Sequence, residues 1–270
     1  MNIVLFGDYC LDRFVECESG RLAPEAPVPV VVPTGTIHES AGMVGNVMNN
    51  LLSLRDPADL RFAVSANYPQ IYAIKTRYID SRTGHHFLRV DEGSQTDRLD
   101  TTGIKWKTVL QSYPDAVVLS DYCKGYLAEH TMGLILGFCQ EALVPCFLDT
   151  KRLTGPWAAG AILKINQHEL EKNLSAGVRP WEHVSACIVT YGSEGMKLYD
   201  SKGMIAHEVN GPVVEVRDGA GCGDTVLAAL VVAYLENGFD LKGAMAWADK
   251  AGRVAVSKRG VVAVRREEVK

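Results

Sequence analysis

The sequence predicts an α/β fold on a mostly parallel sheet, with a small second sheet projecting from it. Three observations carry this. Short continuous apolar runs recur along the 270 residues, as strands covered on both faces require. Stretches of helical spacing lie between several of them, an alternation that yields parallel strands with right-handed crossovers. Two segments, residues 13–38 and 73–92, break the rhythm.

The first run, residues 3–6, is Ile-Val-Leu-Phe and ends on Gly7. Residues 13–38 carry Pro24, Pro27, Pro29 and Pro33 around Val28 and residues 30–32. Proline cannot donate to a ladder, so this segment reads as an edge strand. Residues 73–92 read as a hairpin around Ser81-Arg82-Thr83-Gly84. Further strands are expected at 116–119, 144–148, 161–165, 186–190 and 213–216. Residues 129–142 put Met132, Ile135, Leu136 and Cys139 on one helical face, and 225–236 is apolar nearly all round. Residues 240–257 continue with Leu241, Ala244, Met245, Ala248, Ala251 and Gly252 at helical spacing. With no internal repeat or linker, residues 1–270 read as a single domain with the two irregular segments inserted.

Composition narrows the function. A net charge of -4 argues against nucleic-acid or anionic-membrane partners, which call for a basic surface. The seven cysteines are scattered and form no CxxC pair, which suits small buried hydrophobes in a reduced compartment. The N-terminus shows no signal-peptide pattern and no apolar run approaches a membrane span. A cytoplasmic protein is expected.

The sharpest chemical feature is Asp218-Gly219-Ala220-Gly221-Cys222-Gly223-Asp224-Thr225, between the expected strand 213–216 and a helix beginning near Thr225. Glycines let backbone N–H groups approach an anion, and the helix dipole adds positive potential at the same point. Asp224, kept ionised there by the dipole, could accept a hydroxyl proton while the amides stabilise a phosphoryl group in flight. The same spacing equally suits a glycine turn whose aspartate satisfies the first helical turn. No Gly-Lys-Ser/Thr follows, so this is not a P-loop.

Asn166-Gln167-His168-Glu169 follows the strand ending at Ile165. Its oxygens suit Mg²⁺, but an N-cap Asn with Glu three residues on is also a capping box, which the motif alone favours. Thr190-Tyr191-Gly192-Ser193-Glu194-Gly195 could offer donors to a nucleotide phosphate, as could many β-turns. Asp8, Asp12 and Asn46 could hydrogen-bond sugar hydroxyls at a sheet's carboxyl edge, or be loop and cap residues. His85 and His86 read as hairpin residues rather than metal ligands.

In this order the motifs resemble the PfkB or ribokinase-like family of carbohydrate kinases, over essentially the whole chain. The resemblance implies a three-layer α/β/α domain with a small β lid, using ATP and Mg²⁺. Residues 218–225 look like the family's DTxGAGD signature, implying Asp224 as base and Gly221, Cys222 and Gly223 as anion hole. Asn166 to Glu169 look like its NxxE motif, implying Glu169 for the metal and Asn166 near the phosphates. Val189 to Gly195 are similar to its VTxGxxG stretch, implying Thr190, Gly192 and Gly195 for the nucleotide, joined by Asp249 and Gly260.

Within the family the likeness is greatest to heptose 7-phosphate kinase domains. It is carried by residues 7–13 and 24–31, Lys75-Thr76-Arg77, Leu88-Arg89-Val90-Asp91, Ser120-Asp121-Tyr122-Cys123-Lys124-Gly125 and Asp149-Thr150-Lys151. It implies Asp8, Asp12, Asn46 and Asp121 on the sugar, and Lys151 near the transferring charge. Lys75, Arg77 and Arg89, on the projecting hairpin, are candidates for the sugar's phosphate. A homodimer through the lid is likewise implied. The chain departs from the pattern at Ala41-Gly42-Met43-Val44, at a GxDxxG-like segment missing between Arg55 and Phe62, at Asp249 for Asn and at Cys222 for Ala. The first two bear on the acceptor, leaving open another sugar or nucleoside, or a silent sugar- or nucleotide-binding protein. No nucleotidyltransferase pattern occurs in these residues, so a second activity is not expected of the chain.

Overall fold

The computed structural model of the chain describes residues 1–66, 73–93, 105–111 and 113–269. The main sheet contains β1 (Asn2–Gly7), β4 (Arg61–Ala66), β7 (Ala116–Asp121), β8 (Cys146–Thr150), β9 (Ile162–Asn166), β10 (Ala186–Thr190), β11 (Met196–Tyr199) and β12 (Ile205–Val209). Its spatial order is β12-β11-β10-β9-β8-β7-β1-β4. The strands from β4 to β10 are parallel, and β11 and β12 close one edge antiparallel.

Alternate residues of these strands feed two cores. Ile3, Leu5, Val118, Phe147 and Ile188 face a cluster containing Val44, Val47 and Leu51 of α1 (Val44–Leu54). The same cluster takes Val226 to Ala233 of α5 (Cys222–Glu236) and Ala244, Met245 and Ala248 of α6 (Leu241–Val256). Val4, Phe6, Val117, Leu119, Leu148, Leu163 and Val189 face the other way. They pack on Trp106 of α2 (Lys105–Leu110), Met132, Ile135 and Leu136 of α3 (Glu129–Glu141), and Leu170 of α4 (Gln167–Ser175). A sheet covered on both faces takes apolar residues at most of its inner-strand positions, hence the near-continuous runs. Because α5 sits between α1 and α6, it is apolar all round.

The second sheet has four strands in the order β3-β2-β5-β6: β2 (Tyr9–Glu18), β3 (Val32–Met43), β5 (Ala73–Asp80) and β6 (His86–Glu92). Pro24, Pro27 and Pro29 lie in the connection from β2 to β3, where only Leu22 and Pro29 form a bridge. Pro33 sits on the edge strand, where its missing N–H costs nothing.

One expected strand is absent. Residues 213–216 run as an exposed loop, with Val213 84% accessible. The sheet edge they would need is already taken by β12, and Pro212 removes a donor at their start. Among the described residues no helix is long and apolar enough to cross a membrane.

Candidate active site

The carboxyl ends of β8, β9 and β10 open onto a cavity of ≈ 810 Å³, walled opposite by the start of α5 and by α6. That is the size of a small-molecule site. Helix α5 begins at Cys222, three residues earlier than its apolar run suggests, because Gly221 caps it in the left-handed region at φ 75°. A Cβ on Gly221 would stand 2.5 Å from Asn46 Nδ2, so glycine is required here on two counts. The early start places Gly223 and Asp224 in the first turn, whose N–H groups have no intrahelical partner. Gly221, Cys222 and Gly223 all line the cavity.

Asp224 is 2% exposed. Its Oδ1 accepts from the Tyr122 hydroxyl at 2.7 Å and its Oδ2 from Asn46 Nδ2 at 3.1 Å. Burial pushes its pKa up to about 6, against the pull of those two donors and of Lys164. The helix dipole was expected to dominate; desolvation outweighs it. At neutral pH about nine-tenths of the group is still ionised. Asn46 is itself held, its Oδ1 accepting from Asn50 Nδ2 at 3.0 Å and its Nδ2 also donating to the Gly221 carbonyl. The Cys222 thiol is pushed up by burial to about 11, so it adds no charge to the loop.

Two residues to which the sequence attaches no role complete this wall. Lys164, 3% exposed, donates to Asp149 Oδ2 at 2.5 Å and to the Gly223 carbonyl at 3.2 Å. Asp149 is 2% exposed and its Oδ1 has no hydrogen-bond partner among the described residues. Both line the cavity. A lysine inside the apolar strand Ile-Leu-Lys-Ile-Asn was the available signal, since lysine is almost never buried unpaired. Tyr122 also lines the cavity, with Lys75 Nζ and Lys151 Nζ each 5.1 Å from its ring centroid.

On the nucleotide side, Asn166, Thr190, Gly192, Gly195 and Asp249 all line the cavity. Gly192 and Gly195 turn the chain at φ 60° and 86°, and a Cβ on Gly195 would lie 2.0 Å from the Val209 carbonyl. Asp249 is paired with Arg253 at 2.7 Å. Gly260 is not on the cavity wall; its N–H donates to Asp218 Oδ2, tying the loop 218–221 to the chain after α6.

Several expected ligands turn out to have other employment. Asn166 and Glu169 form a complete capping box on α4, and the other oxygen of Glu169 pairs with Lys151. Both oxygens of Glu169 are thus engaged within the protein, one by the Asn166 N–H and one by Lys151. Asp8, fully buried, accepts from the N–H groups of Tyr122, Lys124 and Tyr126 and so shapes the loop after β7 rather than facing a sugar. Asp121 is taken by Arg152, Thr150 and the Cys123 N–H. Asp12 and Arg77 are buried and paired with each other. A Cβ on Gly42 would meet Asp12 Oδ2 at 2.0 Å, which explains the one glycine kept in the Ala41-Gly42 pair. Arg89 lies exposed on β6, paired with Asp91 at 2.7 Å.

Comparison with known proteins gives a consistent picture. The profile of the pfkB family carbohydrate kinases matches residues 79–267. Among curated relatives, the Bifunctional protein HldE of Granulibacter bethesdensis is 29% identical, and that of Bradyrhizobium diazoefficiens 31%. Each alignment takes in 100% of this chain but only 64% and 62% of the relative. Among solved structures, the phosphofructokinase-2 of Escherichia coli superposes with a TM-score of 0.72 at 14% identity, covering 99% of this chain and 96% of its own. The ribokinase of Arabidopsis thaliana, solved with ribose and ATP, gives 0.68 at 19% identity, covering 99% and 96%. At such identities these two likenesses speak to the fold.

Proposed function

The chain belongs to the pfkB family of carbohydrate kinases, and from that premise we propose that it moves the γ-phosphoryl of ATP to the anomeric hydroxyl of D-glycero-D-manno-heptose 7-phosphate. The observation that carries the transfer is Asp224, an aspartate with a pKa of about 6 in the first turn of α5, beside a glycine cradle opening on the cavity. A base in that range is ionised at neutral pH yet close enough in proton affinity to take a hydroxyl proton as the phosphoryl group arrives. Phosphoryl transfer asks the protein mainly for position and charge stabilisation. The first-turn amides of α5 and Lys164 supply the charge; Lys151 on the cavity rim supplies more.

The cavity fits a nucleotide: glycines at 192 and 195 leave room on the wall, and α6 closes the far side with Asp249 and Gly252. The donor set suits Mg²⁺ as it is usually held beside nucleotides, largely by phosphate oxygens and water. Asp149, with a free buried oxygen on the wall, would hold it, with Glu169 behind. When bound, the ion neutralises phosphate charge.

The acceptor reading rests on the HldE likeness and on Lys75 and Arg89 of the small sheet. We further propose that this sheet is a lid and dimer face in a cytoplasmic enzyme, since Val32, Ile37, Leu88 and Val90 are exposed on it. A panel of sugars and sugar phosphates assayed for ADP release tests the acceptor. Turnover is expected with heptose 7-phosphate. Turnover only with an unphosphorylated sugar or a nucleoside would replace the acceptor, and ATP binding without any turnover would make the chain a binding protein.

A further inference from the structure

We propose that Tyr122 is a positioning residue for the transfer: its hydroxyl, donated to Asp224, keeps that carboxylate a competent base, and its ring ties the base to the small sheet through Lys75. The inference rests on the phosphoryl-transfer reading above and assigns a role to a residue outside the glycine signature.

The hydrogen bond has a fixed direction. Burial drives the Tyr122 phenol well above its ordinary value, so it stays protonated and meets the carboxylate as a donor. Asn46 offers Oδ2 an amide N–H. Asp224 therefore sits between two donors, and donors to the charged form oppose the desolvation that raises its proton affinity. Without Tyr122, Asn46 and the charge of Lys164 would remain to resist burial, against the like charge of Asp149.

The hydroxyl is placed by the chain, not left to chance. Asp8 at the end of β1 accepts from the Tyr122 N–H at 2.8 Å, and from two further N–H groups in the same loop. A fully buried carboxylate spent on one loop's backbone makes sense if the loop carries something that must not move. Lys75, on β5 of the small sheet, lies over the same ring that Lys151 approaches. The ring thus joins both sheets at the point where its hydroxyl meets the base.

The test is Tyr122→Phe, which keeps the ring and both cation contacts and removes only the donor. Its melting temperature reports whether it folds. The acid limb of kcat/KM is expected to move to higher pH by about one to two units, since a hydrogen bond to a charged group is lost. The loss at pH 7 is then largely recovered at pH 9, which a merely structural defect would not do. Carboxyl ¹³C shifts of the aspartates, with Asp224→Asn for assignment, read the same displacement without turnover. Should the Phe variant not fold, 3-fluorotyrosine placed at 122, a better donor, is expected to move the limb downward. An unmoved limb and an unmoved Asp224 titration in a folded variant would overturn the proposal. If the wild type transfers no phosphoryl group, the kinase reading fails, while the titration still decides whether Tyr122 governs Asp224.

Discussion

Replacing Asp224 with Asn is expected to cut turnover and to stabilise the fold. Activity is expected to fall by roughly two to four orders of magnitude, because the proposed base is gone. Stability rises because the native carboxylate is held at a cost. Its pKa is about 6 in the fold against an ordinary value of 3.8. The folded state therefore binds more protons than the unfolded state between those values, and stability drops as pH rises through that window. Above pH 6 the cost is complete: about two units at 1.36 kcal/mol each, or about 3 kcal/mol. Below pH 3.8 it vanishes. Asparagine escapes it without leaving a partner stranded. Its carbonyl can take the Asn46 amide at Oδ2, and its NH₂ can donate to Tyr122, whose hydroxyl can turn to accept. Urea denaturation of both proteins at pH 4, 5, 6 and 8 measures the difference. The expectation is near zero at pH 4, growing to about 3 kcal/mol by pH 8. A variant no more stable than wild type at pH 8, or one whose advantage does not change with pH, would refute the account of Asp224 as a desolvated carboxylate.

Lys164→Met is expected to cost about 3–5 kcal/mol, because it strands Asp149 as a buried charge, and the double change with Asp149→Asn should recover much of that but not the turnover. Chemical denaturation paired with ADP-release kinetics separates the two effects; a Lys164→Met protein as stable as wild type would show that the pair is solvated. Val32→Glu with Ile37→Glu, on an edge strand exposed along most of its length, is expected to convert a dimer to a monomer in sedimentation while each folded domain keeps its melting temperature. A wild type already monomeric at micromolar concentration would remove the dimer.

What was legible in the sequence follows from what is local. The inner parallel strands announce themselves because burial on both faces leaves them mostly apolar, whereas the half-exposed edge strand β4 does not, and the capping box at Asn166 and Glu169 needs only three residues of spacing. The glycine loop was legible too, though not the true start of α5, because apolar periodicity begins after Asp224 while the backbone turns at Gly221. The run 213–216 misled for the converse reason: composition suits a strand, but whether an edge is free depends on β11 and β12, which short half-exposed stretches barely advertise. The chemistry itself is non-local. Asp224 meets Asn46 across 178 positions and Tyr122 across 102. No spacing rule reaches that far: Tyr122 and Asp149 stand in segments 120–125 and 149–151 that carry the family likeness, with no role attached, and Lys164 shows only as a lysine in an apolar strand.

Pairing also decides which charges remain for an acceptor. Three of the residues that the family resemblance assigns to the sugar, and one candidate for its phosphate, are already satisfied: Asp8 by backbone N–H groups, Asp121 by Arg152, and Asp12 and the phosphate candidate Arg77 by each other. A buried ion pair is opened only at a large desolvation cost, so Asp12 and Arg77 are better placed to hold β2 against β5 than to exchange partners with a ligand. Lys75 is different. It is half-buried on β5, makes no ion pair among the described residues, and rests on an aromatic ring. A cation over a ring gives up roughly 0.5–2 kcal/mol on leaving it, far less than a buried carboxylate partner would hold. If the acceptor is a phosphorylated sugar, as proposed, Lys75 is the expected cation of the small sheet for its phosphate, with Arg89, exposed beside Asp91, as the second candidate.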